Sequence, residues 1–146
     1  MSLQTDLIFI RALRESKGIM KALGGRVYGT AIPLPDADAD KVPVPYAVVS
    51  FDGLVNDTET KDEGFEGEDD TVTVGILVTA PSNEGIHTLS EAIRTAVRSF
   101  FEGMAPTDAG YSLVPESYVL KAGRIEYDPL KPCYYQALTY ECTSKR

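Results

Sequence analysis

The fold of this chain is decided by the stretch Thr71-Val72-Thr73-Val74-Gly75-Ile76-Leu77-Val78, which is rich in β-branched residues and has the length of one strand. A second run of the same kind precedes it, Val44-Pro45-Tyr46-Ala47-Val48-Val49-Ser50-Phe51. Two such runs on either side of one polar segment predict neighbouring strands joined as a long hairpin.

The segment between these two runs carries the charge of the whole chain. From Asp52 to Asp70 the sequence holds nine of the 22 acidic residues and one of the 14 basic residues. The remaining 13 acids and 13 bases balance, so this segment accounts for the formal charge of -8. Like charges in a row repel one another and stay solvated, which favours a loop. The sequence therefore predicts a long acidic hairpin loop at about 54–70. Hairpin connections usually take about 2 to 5 residues, so this one is either a solvated connection without a partner or a functional element.

Two amphipathic helices are predicted on either side of the hairpin. In the first, which Gly24-Gly25 ends, apolar residues recur at three- and four-residue spacing: Leu3, Leu7, Ile10 and Leu13. The second spans about 84–101, begins after a capping residue at Ser82 or Asn83, and stops at Gly103. Its apolar stripe consists of Ile86, Leu89, Ile93, Val97, Phe100 and Phe101.

Extended runs return in the last third of the chain, at 113–120, 124–127 and 134–143. Between the first helix and Tyr46, prolines at 33, 35, 43 and 45 exclude a helix. The order of elements predicts an α+β fold, with an antiparallel or mixed β-sheet of about four to five strands and two main helices packed on it. At 146 residues, we expect one domain spanning 1–146.

Several classes of protein are disfavoured by composition. The apolar stretch Leu7–Ile10 is too short for a signal sequence or a membrane span. A chain with net negative charge is not expected to bind nucleic acid specifically, because binding requires clustered cations that neutralise phosphates. Cys133 and Cys142 are nine apart in one extended run, so they should point to opposite faces of a strand and remain unpaired.

No constellation of catalytic residues is visible in the sequence. His87 is the only histidine, has no nucleophilic serine or cysteine motif near it, and is predicted to lie on the surface. The glycines do not form a phosphate-binding loop, and the acids do not follow the D-x-[DN]-x-[DN]-G order of a calcium loop. We therefore expect no enzyme activity, no cofactor and no dedicated metal site.

Two groups of residues are candidates for contacts with other molecules. The first is the set of acids on the predicted loop: Asp57, Glu59, Asp62, Glu63, Glu66, Glu68, Asp69 and Asp70. The second comes from the tyrosine-rich end of the chain, where Tyr134, Tyr135 and Tyr140 are candidate interface residues. Packing within the sheet explains these tyrosines equally well.

The order of motifs resembles the tail-completion or tail-terminator family of long-tailed bacteriophages and prophages. The resemblance begins with the N-terminal helix, Gly25-Arg26-Val27-Tyr28 and a proline-rich loop into Val44-Pro45-Tyr46-Ala47-Val48-Val49-Ser50. It continues with a strand at 71–79 and a helix at 84–101 that carries Leu89-x-x-Ala92-Ile93-x-x-Ala96-Val97. The chain departs from the family pattern in its long acidic segment, 54–70, and in its tyrosine-rich end.

The resemblance implies a subunit without enzyme activity that assembles as a ring, commonly a hexamer, which caps the tail tube and meets the head connector. It implies the host bacterial cytoplasm during assembly and the virion tail afterwards, with no membrane partner. In such a ring the acids would either line the lumen and repel DNA or dock onto a basic surface of the tube or connector. The alternative from another class is a monomeric or dimeric α+β domain that binds a small ligand between sheet and helices.

Overall fold

The computed structural model describes residues 5–30, 44–61, 64–103 and 117–145, and within the strands it describes the backbone alone at 56–61, 64–70, 117 and 143–145. Several sequence predictions lie outside these ranges: the prolines at 33, 35 and 43, Leu3, the first four residues of the predicted strand 113–120, and the acids Asp62 and Glu63.

The predicted α+β fold is confirmed, with a mixed sheet of six strands. The strands are β1 (Val27–Gly29), β2 (Tyr46–Lys61), β3 (Gly64–Ala80), β4 (Ser117–Ala122), β5 (Glu126–Asp128) and β6 (Cys133–Lys145). Five of them run in the order β1-β2-β3-β6-β4, and β5 also pairs with β6. The short β1 pairs in parallel with β2, and all other pairings are antiparallel.

The helices are α1 (Thr5–Glu15), α2 (Lys17–Leu23) and α3 (Asn83–Gly103). The single N-terminal helix predicted from periodicity is two helices, because Ser16 adopts an extended backbone and its hydroxyl accepts a hydrogen bond from the Ile19 N–H, 3.3 Å away. Gly24 ends α2 with a φ of 57°, in agreement with the predicted glycine stop. None of the helices in the described part of the chain is long and apolar enough to cross a membrane.

The cap at Ser16 gives the first testable prediction. Ser16→Ala removes an acceptor for a free N–H at the start of α2 and should lower the free energy of unfolding by about 1 kcal/mol. Urea denaturation measures this loss, and Ser99→Ala, at an exposed position inside α3, is the matched control with no expected loss. Equal stability of the two variants would contradict the capping role.

The core lies between the helices and one face of the sheet. Alternate residues of β3 supply that face, and the opposing stripe of α3 matches the prediction except that Phe100 is only half-buried. The buried residues include Val72, Val74, Ile76, Val78, Ile86, Leu89, Ile93, Val97 and Phe101. Gln136 belongs to the same sheet face, where its amide accepts from Ser90 of α3 and donates to the Gly123 carbonyl, at 2.7 Å each, so a polar residue is accommodated there.

The acidic segment predicted as a loop at 54–70 is instead a continuation of β2 and β3, so that prediction is wrong. The two strands stay paired from Tyr46↔Thr79 to Lys61↔Gly64. The register helps to explain why charge does not prevent pairing, since three acids are placed opposite uncharged residues: Asn56↔Asp70, Thr58↔Glu68 and Glu59↔Gly67. Asp57↔Asp69 is a like-charge pair.

Candidate assembly surfaces

The far end of the β2–β3 hairpin extends beyond the other strands. β1 pairs with β2 only at Ala47–Val49, and β6 accompanies β3 only as far as Asp69. Within the described strand pairings, residues 58–61 and 64–68 therefore pair only with each other. At about 3.4 Å per residue this two-stranded portion is on the order of 14 Å long. We call residues 56–70 the acidic arm.

Most of the acids predicted as contact residues lie on this arm. Asp57 and Glu59 belong to β2, and four others belong to β3: Glu66, Glu68, Asp69 and Asp70. Their side chains and the residues Asp62 and Glu63 lie outside the description. A role in the lumen and a role in docking both remain predictions.

A β-bulge marks the body side of the arm. The register shifts between Phe51 and Gly53, which leaves Asp52 as the extra residue. The Ser50 hydroxyl donates to Asp52 Oδ1 at 2.8 Å, and Asp52 Oδ2 occupies the space that a Cβ on Gly75 would need. Bulges increase the local twist of a strand pair, so this one sets the direction in which the arm leaves the sheet.

The three candidate interface tyrosines have different environments. Tyr140 is 1% exposed and contacts Phe9 and Tyr118, so the prediction that it forms an interface is wrong. Its hydroxyl has no hydrogen-bond partner among the described residues, and burial raises the pKa of this phenol. Sequence periodicity did not reveal this, because Tyr140 shares its strand face with Gln136.

Tyr134 and Tyr135 are both half-buried and remain predicted interface residues. The ring of Tyr134 lies 4.9 Å from that of Tyr127, which is 52% exposed. The Tyr135 hydroxyl hydrogen-bonds to Glu126, which lowers the pKa of the carboxyl and raises the pKa of the phenol. Arg124 also donates to Glu126 at 3.1 Å, so the carboxylate of Glu126 already has two partners within the subunit.

A second charged surface was missed by the sequence analysis. Residues 11–26 contain five basic side chains and one acid. Four of these cations are on the last turn of α1, on α2 and just before β1: Arg14, Lys17, Lys21 and Arg26. We call these four residues the basic corner. The excess of basic residues at 11–26 is visible in the sequence, but a count of net charge over the whole chain does not show it.

The arginines of the basic corner are held by neutral backbone oxygens. An Nη of Arg14 donates to the Val27 carbonyl at 3.1 Å, and Nε of Arg26 donates to the Pro45 carbonyl at 2.9 Å. Both carbonyls belong to residues at the start of the β1–β2 pairing, where Ala47 N–H donates to the Arg26 carbonyl at 3.1 Å. These contacts fix the guanidinium groups in position without neutralising their charge.

A groove of about 640 Å³ is lined by α1, α2 and α3 without any strand residue, so it is not the site between sheet and helices that the ligand-binding alternative predicts. It is lined largely by small residues of α1–α2 and α3, including Ala12, Gly18, Ala92 and Ala96. Across the residues whose side chains are described, no three histidine, cysteine or acidic side chains are grouped as a metal site would require. His87 is exposed on α3, as predicted.

The two cysteines are buried and free, which agrees with the prediction that they do not pair. Burial raises the pKa of Cys142 to about 12 and also raises the pKa of Cys133. Because the thiolate is the reactive form, at pH 8 Cys142 should react with a thiol reagent at least about 100-fold more slowly in the folded chain than in urea, and Cys133 should also be slowed. Absorbance of the released thiol chromophore measures the rates, and fast labelling of the folded chain would show that these sites open readily.

No protein-family model matches the sequence, and no curated protein matches it. Among solved structures, the chain is similar to a chain of the "Virion of native gene transfer agent (GTA) particle", with a TM-score of 0.46 and 14% sequence identity. The alignment covers 97% of this chain and 94% of that chain. A likeness of this size does not show what this chain does.

Proposed function

We propose that this chain is a non-enzymatic structural subunit of a phage or prophage tail, which forms a ring that terminates the tail tube and joins it to the head connector. Its partners are further copies of itself, in a closed ring such as a hexamer, together with tube and connector proteins. It acts in the bacterial cytoplasm during assembly and in the virion tail afterwards.

The order of elements supports this proposal. The resemblance to tail-completion proteins rests on a helix, a short strand at Val27, a strand that begins at Tyr46, a second strand and a long helix. Each of these elements occurs in that order as α1–α2, β1, β2, β3 and α3. A fold alone does not establish a function, so the proposal also needs a feature suited to assembly.

The single observation that carries the proposal is the acidic arm. Its strands pair only with each other beyond Asp69, and an isolated two-stranded hairpin is at best marginally stable in water. The arm also places Asp57 opposite Asp69, an unfavourable like-charge pair, while β6 places Lys145 on the other side of Asp69. An extension of this kind adds little to the stability of the subunit's own sheet. It is better explained as a contact surface for another molecule, or as a charged element that several copies bring together around a common axis.

Electron microscopy of the purified protein, alone and mixed with tail tubes that lack their terminal ring, tests the proposal. We expect ring-shaped particles of uniform diameter, and tubes that carry one such ring at one end. Solitary particles that leave the tube ends bare under both conditions would contradict it.

Removing charge from part of the arm distinguishes the two roles that its acids could have in a ring, which are lining the lumen and docking onto a protein. A variant with Glu66→Gln, Glu68→Gln, Asp69→Asn and Asp70→Asn keeps the size of each side chain while removing its charge. If the acids line the lumen, rings and joining should persist while DNA passage slows, because phosphates are no longer repelled. If the acids dock onto a protein, joining or ring formation should fail instead.

A small-ligand-binding domain is the second candidate, and the groove between the helices is the observation that favours it. The two candidates differ in their expected mass in solution. A ligand-binding domain should remain a monomer or dimer at every concentration and in the presence of tail tubes, whereas a ring subunit should not.

A further inference from the structure

We infer that the acidic arm of one copy binds the basic corner of the next copy, so that the copies join head to tail. This inference rests on the proposed function, since it names the two surfaces that would hold a ring together. The corner forms no ion pair with the described acidic side chains, and the two surfaces are of opposite charge.

Within the part of the chain whose side chains are described, the cations of the basic corner have no acidic partner. The ion pairs of the described residues join other cations to their neighbours: Arg11–Glu15, Arg94–Glu91, Arg98–Glu102, Lys121–Glu141 and Arg124–Glu126. Lys17 and Lys21 are exposed, and among the described side chains no carboxylate lies within 4.0 Å of either. They are four residues apart on α2, where like charges destabilise a helix. An acidic partner would relieve that repulsion.

The arm cannot satisfy the corner of its own chain. The corner adjoins the start of the β1–β2 pairing, where Val27 is placed beside Ala47. The arm begins at Asn56 on the same strand, nine residues further along, which is roughly 30 Å at the rise of a β-strand. The strand leads away from the corner, so contact between arm and corner requires two molecules.

Charge complementarity favours a second copy over nucleic acid as the occupant of the corner. Segment 52–70 has nine acids and one lysine, and every copy that presents a corner also presents this segment. A duplex would have to approach four cations past eight net negative charges on the same chain. The arm supplies carboxylates in a narrow, extended form that suits a small patch of lysine and arginine side chains.

When the arm of each copy binds the corner of the next, any open row of copies has one unbound arm at one end and one unbound corner at the other. Such a heterologous contact closes into a ring when the rotation between copies divides a full turn, and otherwise continues as a filament. The inferred contact therefore provides the type of interface that a ring subunit needs. Since it depends on exposed charge, added salt should weaken it.

The experiment uses charge reversal with rescue. One variant carries Lys17→Glu and Lys21→Glu, a second carries Asp57→Lys and Glu59→Lys, and a third combines all four changes. We expect each of the first two to weaken self-association at least about tenfold, because like charges then face each other across the contact. The combined variant, and an equimolar mixture of the first two, should recover assembly. Sedimentation velocity at low salt and at about 0.5 M NaCl measures the assembled fraction.

Arg94→Glu with Arg98→Glu is the matched control, because it makes the same change in charge on exposed positions of α3 and should leave assembly intact. If the wild-type chain assembles and reversal of the corner has no effect, the inferred contact is wrong while the ring proposal stands. Lost duplex DNA binding with unchanged assembly would instead assign the corner to nucleic acid. A wild-type chain that remains monomeric at every concentration and with tail tubes would overturn both the contact and the ring.

Discussion

Replacing Phe9 with alanine is expected to lower the free energy of unfolding by about 3–5 kcal/mol. Phe9 is fully buried on α1, and its ring lies 5.2 Å from Phe101 of α3 and 5.0 Å from Tyr140 of β6. This one side chain connects both long helices to the central sheet. Its loss leaves a cavity lined by rigid aromatic rings that cannot easily collapse into it.

Urea denaturation of the monomeric chain measures this effect as a lower midpoint with an unchanged slope. Leu130→Ala is the control, because Leu130 is 92% exposed and its truncation should change stability by less than about 0.5 kcal/mol. A loss below about 1 kcal/mol for Phe9→Ala would mean that α1 does not pack on the sheet as described.

Removing the acidic arm is expected to abolish assembly while leaving the subunit folded. The deletion joins Asn56 to Asp70 through an Asn-Gly turn, since these two residues are already paired across the strands. The described core residues all lie outside the deleted hairpin, so the free energy of unfolding should change by less than about 1 kcal/mol. The assembled fraction should fall to that of a monomer.

Two measurements check this prediction together, circular dichroism during urea unfolding and sedimentation velocity. A control with Glu59→Gln, Glu66→Gln and Glu68→Gln keeps the length of the arm and removes three charges, which separates the contribution of shape from that of charge. Unfolding of the shortened chain would show that the arm packs on the body. Rings formed by the shortened chain would show that the arm is dispensable for assembly.

The elements with strong periodicity were predictable from the sequence. The run at 44–51 forms part of β2 from Tyr46 onward, the run at 71–78 forms part of β3, and the helix predicted at 84–101 is α3. Ser82 caps that helix, since its hydroxyl accepts a hydrogen bond from the Gly85 N–H at 3.0 Å. In these places apolar spacing and capping chemistry both indicate the same structure.

The acidic arm was not predictable from charge alone. A count of charges from 52 to 70 shows repulsion, but repulsion between strands depends on which residues face each other, and that register becomes visible only in the structure. The division of the N-terminal helix at Ser16 was missed for a related reason, because the apolar period continues past the residue whose side chain starts a new helix.

The candidate surfaces were predictable only in part. The acidic composition identified the arm as a candidate contact surface, but the predicted loop is in fact a pair of strands. The basic corner was overlooked because its four cations come from two helices and the residue before a strand, and only the fold places Arg14 and Arg26 at the start of the β1–β2 pairing. Tyr140 was assigned to an interface because tyrosines suit interfaces and cores alike, and burial decides between the two only once the helices are placed over β6.

The mass of the assembled particle tests most directly whether copies of this subunit close on themselves. Native mass spectrometry at rising protein concentration should show monomer at 15.9 kDa and one larger species at a fixed whole multiple of that mass, because a closed ring leaves no free surface for further addition. A ladder of masses without a limit would indicate open filaments, and a monomer at every concentration, with or without tail tubes, would contradict the account.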